Sequence, residues 1–161
     1  MRGPRKIDGT FQLNPENVRI IRCYMEGNGT AKQAVAINFG TTTNGLYHAI
    51  AADSDTAAHK ATIAGVALEA WTCDTDGVGG DDTEQVIKIQ VLGPVTGVPV
   101  DASTAVSDKL VAGSTAGQLG RQGALTTAAD VRDYTVVGIA VTDRDATALT
   151  STVYLLNPLG L

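Results

Sequence analysis

The chain has 161 residues, 43% of them hydrophobic but only 4% aromatic and 18% charged, and it carries a net charge of −5. No apolar run approaches the ~18 residues of a membrane-spanning helix. The basic start, Met1-Arg-Gly-Pro-Arg-Lys6, is not followed by the apolar core of a secretory signal, so neither a membrane protein nor a secreted precursor is expected. Gly, Ala, Thr and Val favour short strands and tight turns over helices.

Residues 1–17 read as an extended arm, because Pro4, Pro15, Gly3 and Gly9 oppose helix and Phe11 and Leu13 alternate with polar neighbours. The arm is basic. Residues 1–32 hold six basic and three acidic side chains, residues 33–161 six and fourteen, giving +3 and −8. A cationic arm on an acidic body predicts contact with another chain, and Arg2, Arg5, Lys6, Phe11, Leu13 and Arg19 are the expected contact residues. The basic residues are too sparse for a nucleic-acid site, and no aromatics interleave them for base stacking.

Strands are predicted over residues 18–25, 31–39 and 45–52, with a turn at Glu26-Gly-Asn-Gly29 and a turn or single helical turn over 53–59. The segment 61–70 contains Ile63-Ala-Gly-Val-Ala-Leu-Glu-Ala70, an apolar run suited to a strand covered on both faces or lying in an interface. Gly65 inside it predicts a bulge or a close backbone approach. Trp71, the lone tryptophan, reads as an anchor at the edge of the core and a further candidate partner contact. The acidic glycine loop 74–82 offers four carboxylates but lacks the spacing of an EF-hand, so it reads as a hairpin tip rather than a metal site. Residues 84–92 form the clearest strand, with Val86 and Lys88 on one face and Ile87, Ile89 and Val91 on the other, ended by Gly93-Pro94. Residues 95–107 read as a link. Strands over 109–112, 118–122, 134–142 and 151–156 follow, with a turn at Gly113–Gly117.

The chain repeats. Gly65 and Gly138, within Val136-Val-Gly-Ile-Ala-Val-Thr-Asp143, are 73 residues apart, as are Gly40 and Gly113, while Gly45 and Gly117 are 72 apart. The spacing is too long for a solenoid and there are two copies, about 33–94 and 107–160, so a duplicated β-unit is expected. About ten short strands predict an all-β barrel or sandwich, jelly-roll-like, built of two related units and forming one domain over 18–161.

No motif for catalysis stands out. Gly-x-Ser-x-Gly, His-Glu-x-x-His and Cys-x-x-Cys are absent, and Gly113-Ser-Thr-Ala-Gly117 lacks the Lys-Ser/Thr of a phosphate loop. His48 and His59 fall on different elements, Glu69 has Thr142 as its counterpart in the second copy, and Cys23 and Cys73 read as buried or half-buried thiols, with a disulfide between them as the alternative. A non-enzymatic protein with no cofactor and no metal is therefore expected.

The residues Ser107-Asp-Lys-Leu-Val-Ala-Gly-Ser-Thr-Ala-Gly117, Val136–Asp143 and Ser151-Thr-Val-Tyr-Leu-Leu156, with 63–70 and 86–92 in the first copy, resemble the tailed-phage capsid cement (head-decoration) proteins over roughly 33–160. The resemblance implies a structural virion protein, made in the host cytoplasm. It would sit as a homo-oligomer, a trimer by preference or a dimer, on the outer capsid surface and bridge major capsid subunits. A tail, baseplate or receptor- or glycan-binding β-module is the alternative, and an exposed aromatic patch around Trp71 or Tyr47 would favour it. A cleft gathering Glu69, a histidine and an aspartate would favour a hydrolase.

Overall fold

The computed structural model describes residues 17–72, 85–122 and 135–161. Within them the chain is almost entirely β, with strands β1 (Arg19–Met25), β2 (Ala34–Thr43), β3 (Leu46–Ala51), β4 (Ile63–Ala67), β5 (Val86–Pro99), β6 (Lys109–Ala112), β7 (Leu119–Arg121), β8 (Gly138–Ala140) and β9 (Thr150–Leu156). One short helix, α1 (Ala57–Thr62), precedes β4, so the predicted strand over 61–70 is confined to Ile63–Ala67. The predicted arm lies outside the described residues apart from the exposed Asn17, as do the acidic loop 74–82, Cys73 and Tyr134.

The strands form a mixed sheet that closes on itself. In the first ring β1 runs parallel to β3, β3 antiparallel to β2, β2 to β4, β4 to β5, and β5 back to β1. The far half of β5 then opens a second ring: it pairs antiparallel with β9, β9 with β8, β8 with β6 and β6 with β7. A parallel bridge between Val100 and Leu119 brings β7 back to the end of β5. The two rings thus share strand order and direction, each with one parallel closure. Each closure carries a similar bond: Glu26 N–H to the Ala49 carbonyl at 2.8 Å in one ring, Asp101 N–H to the Leu119 carbonyl at 2.9 Å in the other. The strands related by the 73-residue offset, β2 and β6, β3 and β7, β4 and β8, occupy equivalent places.

Glycines set the close approaches. A Cβ on Gly65 would run into the Gln90 carbonyl of β5, and one on Gly138 would lie 2.9 Å from the Tyr154 carbonyl of β9. Only a residue without a side chain lets these neighbouring strands come so near. At Gly65 the β2–β4 register also slips, so the bulge and the close approach anticipated there are both present. Gly45 and Gly117 share left-handed φ values of 79° and 80° at corresponding turns.

β5 corrects the expected strand end. It runs through Gly93-Pro94 to Pro99, and the segment taken as a link is its second half. Proline normally stops a strand because it has no N–H to donate. Here the strand changes neighbours: β1 pairing ends at Leu92, where β9 pairing begins. Gly93 (φ 96°) and Gly97 (φ 78°) take up the bend, and the β5–β9 register slips between Val95 and Val98.

Two cores lie on either side of β2 and β4. Val35 and Ile37 of β2 and Ala64 and Ala67 of β4 point into the first, with Met25, Ile89, Val91 and Trp71. Ala34, Ala36, Ile63 and Val66 point the other way, into the second, with Leu110, Leu119, Val153 and Leu155 of the second ring. All five β4 residues are buried as a result, which is why the sequence there shows no polar alternation. The β6–β7 turn seals the junction: Ala34 N–H donates to the Gly117 carbonyl and Gly117 N–H to the Ala52 carbonyl, both at 2.8 Å.

Candidate interaction surfaces

Three features of the first ring are candidates for function. The outer face of β1 is one. Val18 and Ile20 are 48% and 47% exposed; Arg22, also exposed, follows them on the same side, and Arg19 is exposed at the start of the strand. Arg22 stands opposite Lys88 of β5, and Val86 of β5 is also exposed. The face therefore joins aliphatic side chains to two cations, Arg22 and Lys88, on a chain that is otherwise acidic, with Arg19 exposed at its edge. Lys88 is partly screened by Glu69 at 3.9 Å, where both side chains are half exposed, so the pair contributes little energy.

A polar network marks the β1–β3 closure. His48 is 4% exposed. Its Nδ1 lies 3.2 Å from Glu26 Oε1 and its Nε2 2.8 Å from Thr43 Oγ1. With Glu26 ionised, the ring donates from Nδ1 and accepts the Thr43 hydroxyl proton at Nε2. Carboxylate, imidazole and hydroxyl are the order used to activate a nucleophile. The same bonds also tie the end of β1, the tip of β2 and β3 across the parallel closure. The Tyr24 ring stands 5.7 Å from the imidazole, and Asn44 donates to the Tyr24 hydroxyl at 3.0 Å.

The third feature is a cleft of about 290 Å³ between α1 and the β2–β3 ladder. Between Asn38 and Thr42 the β2–β3 register slips, so residues 39–41 bulge outward. Asn38 stiffens the bulge: its Oδ1 accepts from the Gly40 N–H at 3.0 Å, and its amide donates to the Thr41 hydroxyl at 3.2 Å. The bulge displays Phe39, 44% exposed, against Tyr47, 41% exposed, in an edge-to-face pair 5.1 Å between centroids. Phe39 and Asn38 line the cleft on one side and Ala58, His59 and Thr62 of α1 on the other, over a floor of Ala36, Ile37 and Ile50, with Glu26 also among the lining residues. α1 is held by Asp53, whose carboxylate accepts from the Thr56 N–H at 2.7 Å and lies 3.3 Å from His59 Nδ1. Burial alone would raise the Asp53 pKa. The bonds from the Thr56 N–H and hydroxyl and the neighbouring imidazole outweigh it and hold the carboxyl below its ordinary range.

Of the contact residues predicted from sequence, Arg19 is exposed at the start of β1, while Arg2, Arg5, Lys6, Phe11 and Leu13 lie outside the described residues. Trp71 requires correction. It is 1% exposed, its indole N–H donates to the Glu26 carbonyl at 3.3 Å, and it bridges to Gly29, where a Cβ would collide with the indole. An indole enclosed in this way offers no surface to a partner. Glu69 faces solvent and does not line the cleft. The Glu26–His48–Thr43 network escaped sequence reading because its members are 22 and 5 residues apart with no spacing that signals proximity. Compared with protein-family models and with curated proteins, the chain finds no match.

Proposed function

We propose that this chain is a non-enzymatic structural protein of a phage virion that binds the outer surface of the capsid and stabilises it by bridging major capsid subunits. The observation that carries the reading is the exposed β1 face, where Arg22 follows Val18 and Ile20 on one side of the strand, opposite Lys88 and with Arg19 exposed at the strand's start, within residues 1–32, which are net positive on an acidic chain. A surface that combines aliphatic area with complementary charge gains affinity from the first and orientation from the second. Interfaces repeated over a shell need only modest strength each, because they engage together. The proposed partners are the major capsid protein and further copies of this chain, as a trimer by preference, on the virion exterior.

Co-sedimentation with matured heads stripped of their decoration, beside immature heads, tests the reading. Saturable binding to the expanded shell, with a raised melting temperature of the heads, is expected. The double variant Arg19→Glu/Arg22→Glu should bind at least about tenfold more weakly. Absence of binding to either form would overturn it.

The Phe39–Tyr47 pair favours a second reading, a receptor- or glycan-binding β-module. It is the kind of exposed aromatic patch such a module presents, and it borders a cleft.

A further inference from the structure

The cleft beside the β2 bulge lies apart from the β1 face and plays no part in capsid binding as proposed above. Its features converge on one kind of ligand. Phe39, held outward by the bulge that Asn38 stiffens, presents an apolar ring at the rim. Glu26 and His59 are among the residues that line it, over an aliphatic floor that includes Ile50; one Glu26 oxygen is engaged by His48 and the His59 Nδ1 by Asp53, which leaves the second carboxylate oxygen and the imidazole Nε2 as the groups a ligand would use. A pyranose ring has the matching faces: one side of C–H groups to lie on an aromatic ring, and an edge of hydroxyls to donate to a carboxylate and exchange hydrogen bonds with an imidazole. About 290 Å³ is at the lower end for ligand pockets, room for one ring rather than a chain of them. The Glu26 carboxylate, on a chain of net charge −5, opposes uronic and sialic acids.

We propose that this cleft binds a single neutral pyranose, such as the terminal residue of a surface glycan, with Phe39 as the stacking platform and Glu26 as the hydroxyl acceptor. The inference deepens the second functional reading by naming its ligand class and site, and it holds whether or not the β1 face binds a capsid.

Titration of the ¹⁵N-labelled full chain with methyl β-galactoside, methyl α-glucoside and N-acetylglucosamine, followed by amide shifts, tests it. At least one sugar should give saturable shifts confined to β2 around Asn38 and Phe39, to Ile50 and to α1, with Kd in the range of about 1 mM. Phe39→Ala should weaken binding about tenfold, and glucuronate and glycerol should produce no matching shifts. Phe39 is 44% exposed, so its variant keeps the fold. Glu26→Gln, close in shape, gives a second check and should also weaken binding. No saturable shift with any of the three sugars, equal shifts with glycerol, or unchanged affinity in Phe39→Ala would overturn the proposal. Head co-sedimentation of Phe39→Ala separates the two readings, since capsid binding through β1 should survive the substitution.

Discussion

One methyl group at position 65 is enough to part β4 from β5. The Cβ of Gly65→Ala would meet the Gln90 carbonyl, a backbone atom that cannot swing aside. Overpacking of this kind costs about 1–3 kcal/mol, which a chemical denaturation midpoint would register. Gly138→Ala, whose Cβ would press on the Tyr154 carbonyl, should destabilise in the same sense. Trp71→Ala removes the largest buried side chain and should cost about 3–5 kcal/mol. Cys23 is 2% exposed, and burial pushes its thiol from an ordinary 9.0 up to about 11. It should therefore resist thiol reagents in the folded chain at neutral pH and react on unfolding. The raised value favours the protonated folded state. Its stabilising contribution is whole below pH 9.0 and is lost as the pH rises through about 11.

Among the elements, the loops are held by carboxylates that cap backbone N–H groups. Asp53 anchors the approach to α1 through Thr56 and His59. Because its folded pKa is depressed, it contributes stability above its unfolded value, and that contribution is lost as the pH falls through the folded one. The melting-temperature gap between the wild type and Asp53→Asn should be open at pH 7 and close below about pH 4. Asp101 has a comparable role in the second ring, accepting from the Ser103 N–H, the Ser103 and Thr104 hydroxyls and the Arg121 N–H. Asp101→Ala should cost about 1–3 kcal/mol and loosen the β5–β7 bridge, seen as faster amide exchange in β7. The strands were legible in sequence where one face is solvated, as in the first half of β5, where exposed Val86 and Lys88 alternate with buried Ile87 and Ile89. Gly65 and the paired turns at Gly45 and Gly117 were legible too, since only glycine fits such positions. Gly93-Pro94 misled because local propensity does not show that a strand changes partners there. The Phe39 bulge and the His48 network stayed hidden because they depend on which strands lie side by side, which no local pattern encodes.

At the scale of the molecule, β5 belongs to both rings, and β2 and β4 form the wall between two cores. Neither ring has a complete hydrophobic lining without the other, so the chain should unfold in one calorimetric transition. Ile89→Ala in one core and Leu110→Ala in the other should each lower that single transition rather than split it. For the proposed capsid role, deletion of residues 1–17 should leave this transition in place and abolish head binding; retained binding would place the contact elsewhere.

The shared strand has one more consequence, which concerns connectivity. Leu92 pairs with Arg19 on one side and with Leu156 on the other. The start of β1 and the end of β9 therefore lie two strand spacings apart, about 10 Å, a distance that a linker of about three to five residues spans. A circular permutant that joins Asn157 to Asn17 through such a linker and opens at Asn44-Gly45 should fold with all nine strands in register. The wild-type order of synthesis is then one of several routes into the same closed rings.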